Sequence, residues 1–180
     1  HSARSIQTRH TDPMSLPAAS ATEPGTESDV EIAVRLAREA GHLLVTLREA
    51  MWRDGAHSWD VMDHGDAAAH EFIGRELRLH RPDDAVLDEE GKEDPRRFHD
   101  DRVWIIDPLD GTREFGEPGR HDWAVHIALW DRDHFVAGAV ALPAVGCSSV
   151  DRMRTVVVLP APLGPSRPTT WPRSTVRSMP

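Results

Sequence analysis

An apolar run that stops on two carboxylates constrains this chain more than any other stretch. Val103-Trp104-Ile105-Ile106 has the length and β-branched content of a buried strand. It is followed at once by Asp107-Pro108-Leu109-Asp110-Gly111-Thr112. An unpaired carboxylate at the edge of a core is costly, so two of them there need a reason. Pro108 cannot continue a ladder and Gly111 permits the conformations of a sharp turn. The strand is therefore expected to end at Asp107, with both acids on one tight loop. From there they can converge on a hard cation such as Mg²⁺, which takes carboxylate and carbonyl oxygens. The next residues, Gly111-Thr112-Arg113-Glu114-Phe115, are placed to start a helix whose free N–H groups hold a phosphate. An ordinary acidic turn is the competing reading, because D-P and D-G are common turn dipeptides.

The rest of the chain supplies a frame for that loop. Ser28 and Glu31 form an S-x-x-E capping box, and Val30, Ala33, Leu36, Ala37, Ala40, Leu43, Leu44 and Leu47 follow at helical spacing. This predicts a packing helix over roughly Ser28–Ala50. Residues 51–62 read as a mixed segment holding Trp52 and Trp59. A second helix is expected from about Gly65 to His80, ended by Arg81-Pro82. Asp66 falls in its first turn, where an acid suits the helix dipole. His70-Glu71 begins a zinc-protease pattern that fails, because Gly74 stands where the second His is needed.

Ala85-Val86-Leu87 is a short strand leading into Asp88-Glu89-Glu90, which repeats the strand-then-carboxylate pattern and also reads as a solvated charge run. Residues Gly91–Asp101 read as a polar loop. Trp123–Trp130 and Phe135–Leu142 are expected strands, with Asp131-Arg132-Asp133-His134 as the hairpin between them. His126 reads as a satisfied core or edge histidine. The eleven histidines show no ligand spacing.

D-P-L-D-G-T resembles the D-P-[IL]-D-G-T signature of the lithium-sensitive, Mg²⁺-dependent phosphatases, the inositol monophosphatase superfamily. The longer DPLDGTREF, with WAVHIALW downstream, is similar to the CysQ-type 3'(2'),5'-bisphosphate nucleotidases; inositol monophosphatases more often carry Asn where Glu114 stands. The resemblance covers about Ser28 to Ala144. It implies an α+β fold, the N-terminal half of the layered α/β/α/β/α sugar-phosphatase fold, with an antiparallel-rich sheet and two packing helices.

The resemblance also assigns roles. Glu89, Asp107, Asp110 and the carbonyl of Leu109 would hold two or three Mg²⁺ ions. Glu89, Asp110 and Thr112 would be catalytic, and Gly111 and Thr112 would bind the substrate phosphate. Asp66 and Glu90 are secondary candidates near the metal site. Asp88 departs from the small residue more usual before the Glu pair.

Composition narrows the class. A chain of 180 residues supports one domain, and 39% hydrophobic and 28% charged residues suit a globular protein. No apolar run approaches the ~20 residues of a membrane span. The single cysteine, Cys147, rules out an internal disulfide and fits a cytoplasmic setting. The net charge of −9 is uneven: residues 151–180 carry five Arg against one acid, Asp151, leaving −13 for residues 1–150. Such an acidic body is a poor nucleic-acid binder and suits a site that collects cations.

Residues 1–27 lack apolar periodicity and read as a disordered leader, with Met14 a candidate start. Residues 145–180 read as a disordered Pro/Arg-rich tail, since 151–180 hold six prolines, no Glu and no Lys. The family's second half, including a W-D motif whose Asp completes the metal site, is not found after Ala144. The abrupt change there suggests a shifted reading frame.

Three functions are therefore expected, in order. The first is a Mg²⁺-dependent phosphatase converting 3'-phosphoadenosine 5'-phosphate to AMP and phosphate within sulfate assimilation. The second is an inositol or sugar monophosphate phosphatase of the same superfamily. The third is an inactive metal-binding fragment. The expected partners are a small-molecule nucleotide or sugar phosphate and, at most, a second copy in a homodimer; neither nucleic acid nor membrane is expected.

Overall fold

The computed structural model describes residues 27–88, 95–145 and 154–157, the last as backbone only. Within these, two long helices pack on one mixed sheet. The first, α1 (Asp29–Arg53), begins where its capping box directs. Ser28 Oγ accepts from the Glu31 N–H at 3.3 Å, and the Glu31 carboxylate accepts from the Ser28 N–H at 2.8 Å. Ile32, Ala33, Leu36, Ala37, Ala40 and Leu44 are fully buried along one stripe. The helix runs to Arg53, past the expected stop at Ala50.

The second helix, α2, spans Ser58–His80 and so starts well before Gly65. Its N-cap, His57, makes no side-chain capping bond, so the start lacks the Ser/Thr/Asp/Asn signature that marks α1. The expected mixed segment over 51–62 is therefore the end of one helix and the start of the next, joined at Gly55. Asp66 lies in the third turn of α2, not the first, and has no claim as a dipole-capping acid.

The strands are β1 (Ala85–Asp88), β2 (Arg102–Asp110), β3 (Ala124–Asp131), β4 (His134–Leu142) and β5 (Arg154–Val157), preceded at β2 by a 3-10 turn over Pro95–Phe98. A single helical turn, α3 (Thr112–Phe115), follows β2. The sheet order is β1-β2-β3-β4-β5; β1 and β2 are parallel and all other pairs antiparallel. One face carries Trp104, Ile106, Val125, Ile127, Leu129, Ala137, Ala139 and Ala141, all buried in a single core with the apolar stripes of α1 and α2. The alternate positions Leu87, Ile105, Ala128 and Val140 are only half-buried, as period-2 alternation requires.

Ion pairs tie the helix ends to the sheet edge remote from Asp110. Arg102 reaches the buried Asp84 at 2.9 Å and Asp29 at 3.1 Å, and the Trp104 indole N–H donates to Asp84 at 2.8 Å. Arg81 joins them through Asp29 at 2.9 Å. The expectation that β2 ends at Asp107 is corrected: the strand continues to Asp110. Pro108 is accommodated because the register shifts there, leaving no ladder bond for its missing N–H to break. Within the tail, Val145 and Arg154–Val157 are described, and the latter pairs with β4; the leader up to residue 26, Cys147 and the other tail residues lie outside the described residues.

Candidate metal and phosphate site

The bulge in β2 builds the site. Asp107 lies opposite His126 on β3, and Asp110 opposite Ala124. Three steps along β2 therefore match two along β3, so β2 holds one extra residue. In a regular strand Asp107 and Asp110, three apart, would point to opposite faces. The extra residue brings both to the face that carries His126. Its Nε2 lies 3.1 Å from Asp110 Oδ2 while its strand position faces Asp107. Asp110 is solvent-facing, with 60% of its side chain exposed, so a small ligand can reach it.

Leu109 and Pro108 between them are buried and anchor the turn. The Thr112 hydroxyl donates to the Leu109 carbonyl at 2.9 Å, which fixes that carbonyl's direction and leaves it a second lone pair. It also leaves the Thr112 oxygen able to accept. Gly111 adopts φ +84°, the left-handed region that a side chain enters only with strain. A Cβ there would also meet the Asp122 carbonyl at 3.1 Å. The Phe115 N–H donates to the Gly111 carbonyl at 2.9 Å and closes the single turn of α3.

Helix α2 lies against both sides of this turn. Gly65 touches the Phe115 ring, which a Cβ would meet at 2.3 Å. His70 pairs with Asp88 at the end of β1. Asp66 sits on α2 between these two contacts, one turn before His70 and so on the same helix face. Because β1 runs parallel to β2 with Asp88 beside Ile106, the two strands deliver their carboxyl ends to one edge of the sheet.

Of the candidate residues, Asp107, Leu109, Asp110, Gly111 and Thr112 are brought together on one turn, with Asp66 on the helix behind it. Glu89 and Glu90 lie outside the described residues, immediately after Asp88 in the chain. Among the described residues no three His, Cys, Asp or Glu side chains group as a metal cage. The donors that are present, two carboxylates and a carbonyl, are all oxygen and fit a hard divalent cation. His126, read from the sequence as a satisfied core or edge histidine, lies beside the candidate site, 3.1 Å from Asp110. It stands in an apolar strand with no local signal, and only the pairing register of β2 and β3 reveals its place.

A sequence profile of the inositol monophosphatase family matches residues 26–155. A 3'-phosphoadenosine 5'-phosphate phosphatase of Mycobacterium tuberculosis is 49% identical over 131 residues, covering 70% of this chain and 48% of its own. The 3'(2'),5'-bisphosphate nucleotidase CysQ of Escherichia coli K12 is 36% identical over 123 residues, covering 62% and 46%. Among solved structures, Mycobacterium tuberculosis SuhB superposes with a TM-score of 0.51 at 30% identity, over 64% of this chain and 40% of its own. An inositol monophosphatase II from Staphylococcus aureus gives 0.56 at 26% identity, over 71% and 45%. The chain spans about half the length of the curated relatives it matches. Its α+β architecture corresponds to the N-terminal part of the fold of those neighbours.

Proposed function

The chain belongs to the inositol monophosphatase family, and on that premise we propose that it carries the cation and phosphate site of a Mg²⁺-dependent 3'-phosphoadenosine 5'-phosphate phosphatase. The observation that carries the reading is the β2 bulge, which turns Asp107 and Asp110 to one face on either side of the Leu109 carbonyl. The relatives named for 3'-phosphoadenosine 5'-phosphate and the bisphosphate nucleotidase supply the substrate class. The family is generally metal-dependent, and the donor set here is of the right chemistry.

In this reading Asp107, Asp110, Glu89 and the Leu109 carbonyl hold two or three Mg²⁺ ions, with Asp66 and Glu90 nearby. Bound metal supplies charge neutralisation at the phosphoryl group and activation of water. Glu89 and the Thr112 oxygen orient the attacking water in line with the scissile P–O bond. The Gly111 and Thr112 N–H groups hold phosphate oxygens. The bond to the 3' oxygen breaks, the water oxygen joins phosphorus, and AMP and phosphate leave. The reaction would serve sulfate assimilation in the cytoplasm.

Carboxylates ~5 Å apart at an effective dielectric of 20 repel by about 3 kcal/mol per pair, so the turn should tighten when a cation binds. The test is Mg²⁺-dependent phosphate release from 3'-phosphoadenosine 5'-phosphate, with Asp110→Asn as control. Turnover that the substitution abolishes is the expected result. Turnover favouring inositol or sugar monophosphates would support the second reading, to which the SuhB and inositol monophosphatase neighbours point. Mg²⁺ binding without turnover on any of these would leave an inactive metal-binding fragment.

A further inference from the structure

Arg48 stands near the end of α1, yet its guanidinium bonds to a distant part of the chain. Its Nε donates to the Phe115 carbonyl at 2.7 Å, and Nη1 to the Arg120 carbonyl at 3.0 Å. Nη2 donates to the Glu117 carbonyl at 2.5 Å and, more loosely, to the Glu114 carbonyl at 3.4 Å. These oxygens belong to the C-terminal end of α3 and the turn that follows, and Arg48 adds to the backbone bonds that the Glu114 and Glu117 carbonyls already accept from the Glu117 and Arg120 N–H groups. The guanidinium carbon also lies 5.5 Å from the centroid of the Phe115 ring and 5.9 Å from that of Trp123. The two rings meet edge to face at 5.0 Å.

Burial lowers the Arg48 pKa from its ordinary value, and no carboxylate among the described residues offsets that desolvation. A guanidinium stays charged in proteins even so. Where only space needed filling, an apolar side chain would fill it without the desolvation cost. The structure therefore asks what the charge and the fork are for.

What they grip is the back of the acidic turn. The Phe115 N–H donates to the Gly111 carbonyl at 2.9 Å, and the Gly116 N–H to the Thr112 carbonyl at 3.1 Å. The Trp123 Cβ lies 3.2 Å from where a Gly111 Cβ would stand. Phe115 and Trp123, which the guanidinium touches, are thus each one hydrogen bond or one van der Waals contact from Asp110-Gly111-Thr112.

We propose that Arg48 is a positioning residue for the cation site: by holding α3 and the turn after it, it fixes the direction in which Asp110 and the Leu109 carbonyl present their oxygens. The identity of the cation rests on the phosphatase reading; the mechanical link from Arg48 to the turn does not. Lysine cannot replace it, because a single ammonium lacks the planar fork that spans four carbonyls at once.

The test compares Arg48→Lys with Arg35→Met in the full chain. Arg35 lies about 20 Å back along the same helix, where it pairs with Glu27, Glu39 and Glu76. Amide hydrogen exchange is read over residues 107–117, together with the melting temperature as Mg²⁺ is added. Arg48→Lys is expected to speed exchange in 107–117 selectively and to weaken apparent Mg²⁺ affinity about 10-fold, as loss of an outer-shell support does. Arg35→Met should lower the melting temperature with neither change. Unaltered exchange in 107–117, or an equal rise across α1 and β4, would overturn the assignment. Arg48→Gln, read the same way, stands in if the lysine variant does not fold. A wild-type chain indifferent to Mg²⁺ would defeat the phosphatase reading, while the exchange comparison would still decide the role of Arg48.

Discussion

Asp122 closes the turn that backs Gly111, and its carboxylate is paired with Arg120. Hydrogen bonding to that guanidinium lowers the carboxyl from its ordinary 3.8 to about 2. A depressed carboxylate stabilises the fold above its unfolded value and loses that contribution as pH falls through its folded value. The stability difference between the wild type and Asp122→Asn should therefore be constant near neutrality and shrink as pH drops from about 4 to about 2. Urea melts at stepped pH check this, and a difference that persists unchanged to pH 2 would contradict it. The pair lies at the surface, so the effect is small and salt-sensitive. At this scale the sequence is most legible where residue type and backbone demand coincide. Asp107, Asp110 and Gly111 declare themselves through carboxylates that directly follow an apolar run and a glycine at a forced turn. His126 does not, since a histidine in an apolar strand has many uses and its neighbour Asp110 is sixteen positions away.

Among the elements, α2 holds the site to the core through two close approaches. Gly65 admits the Phe115 ring, and Gly116 admits Met62, where a Cβ would stand 2.4 Å from the Met62 Cγ. Both contacts bring α2 and α3 nearer than any side chain would allow. Gly65→Ala should cost about 1–3 kcal/mol through overpacking against Phe115, and should displace the turn that carries Asp110. Chemical denaturation measures the first effect and Mg²⁺-dependent activity the second. A neutral substitution would show that the Phe115 ring can move aside. The helix α1 was readable to its first residue because Ser28 and Glu31 spell a capping box. The start of α2 was not, since His57 offers no capping bond and Trp59 is left 75% exposed, outside any apolar stripe. The end of β2 was misplaced for a related reason. Pro108 argues against a ladder only when the register is regular, and a bulge removes that condition.

For the whole molecule, the proposed cation site in an acidic body predicts that Mg²⁺ raises stability. If the turn binds Mg²⁺ in the folded state alone, free Mg²⁺ at one hundred times its dissociation constant should add about 2.7 kcal/mol of stability. Differential scanning calorimetry with and without Mg²⁺ tests this against Asp110→Asn, in which the shift should be lost. Na⁺ at equal ionic strength separates specific binding from screening. The fold class was legible through the family resemblance of DPLDGTREF and WAVHIALW, with which the helical stripes and apolar strands agree. The pairing of β1 beside β2 in parallel was not, because strand content alone does not fix direction or order.

The order of that sheet has a kinetic consequence. Spatial order equals chain order, β1-β2-β3-β4-β5, so every strand pairs with its neighbour in sequence and the β2–β3–β4 meander can zip from its turns. The demanding event is the return of α1, which packs against β3 and β4 roughly 90 residues further on, a closure worth about 4 kcal/mol of chain entropy. Folding should then be limited by that docking, with the meander formed early. During synthesis α1 can pair with α2 at once, but the part of its stripe that meets the sheet must wait for β4 to leave the ribosome, so that part is a surface a nascent-chain chaperone would meet.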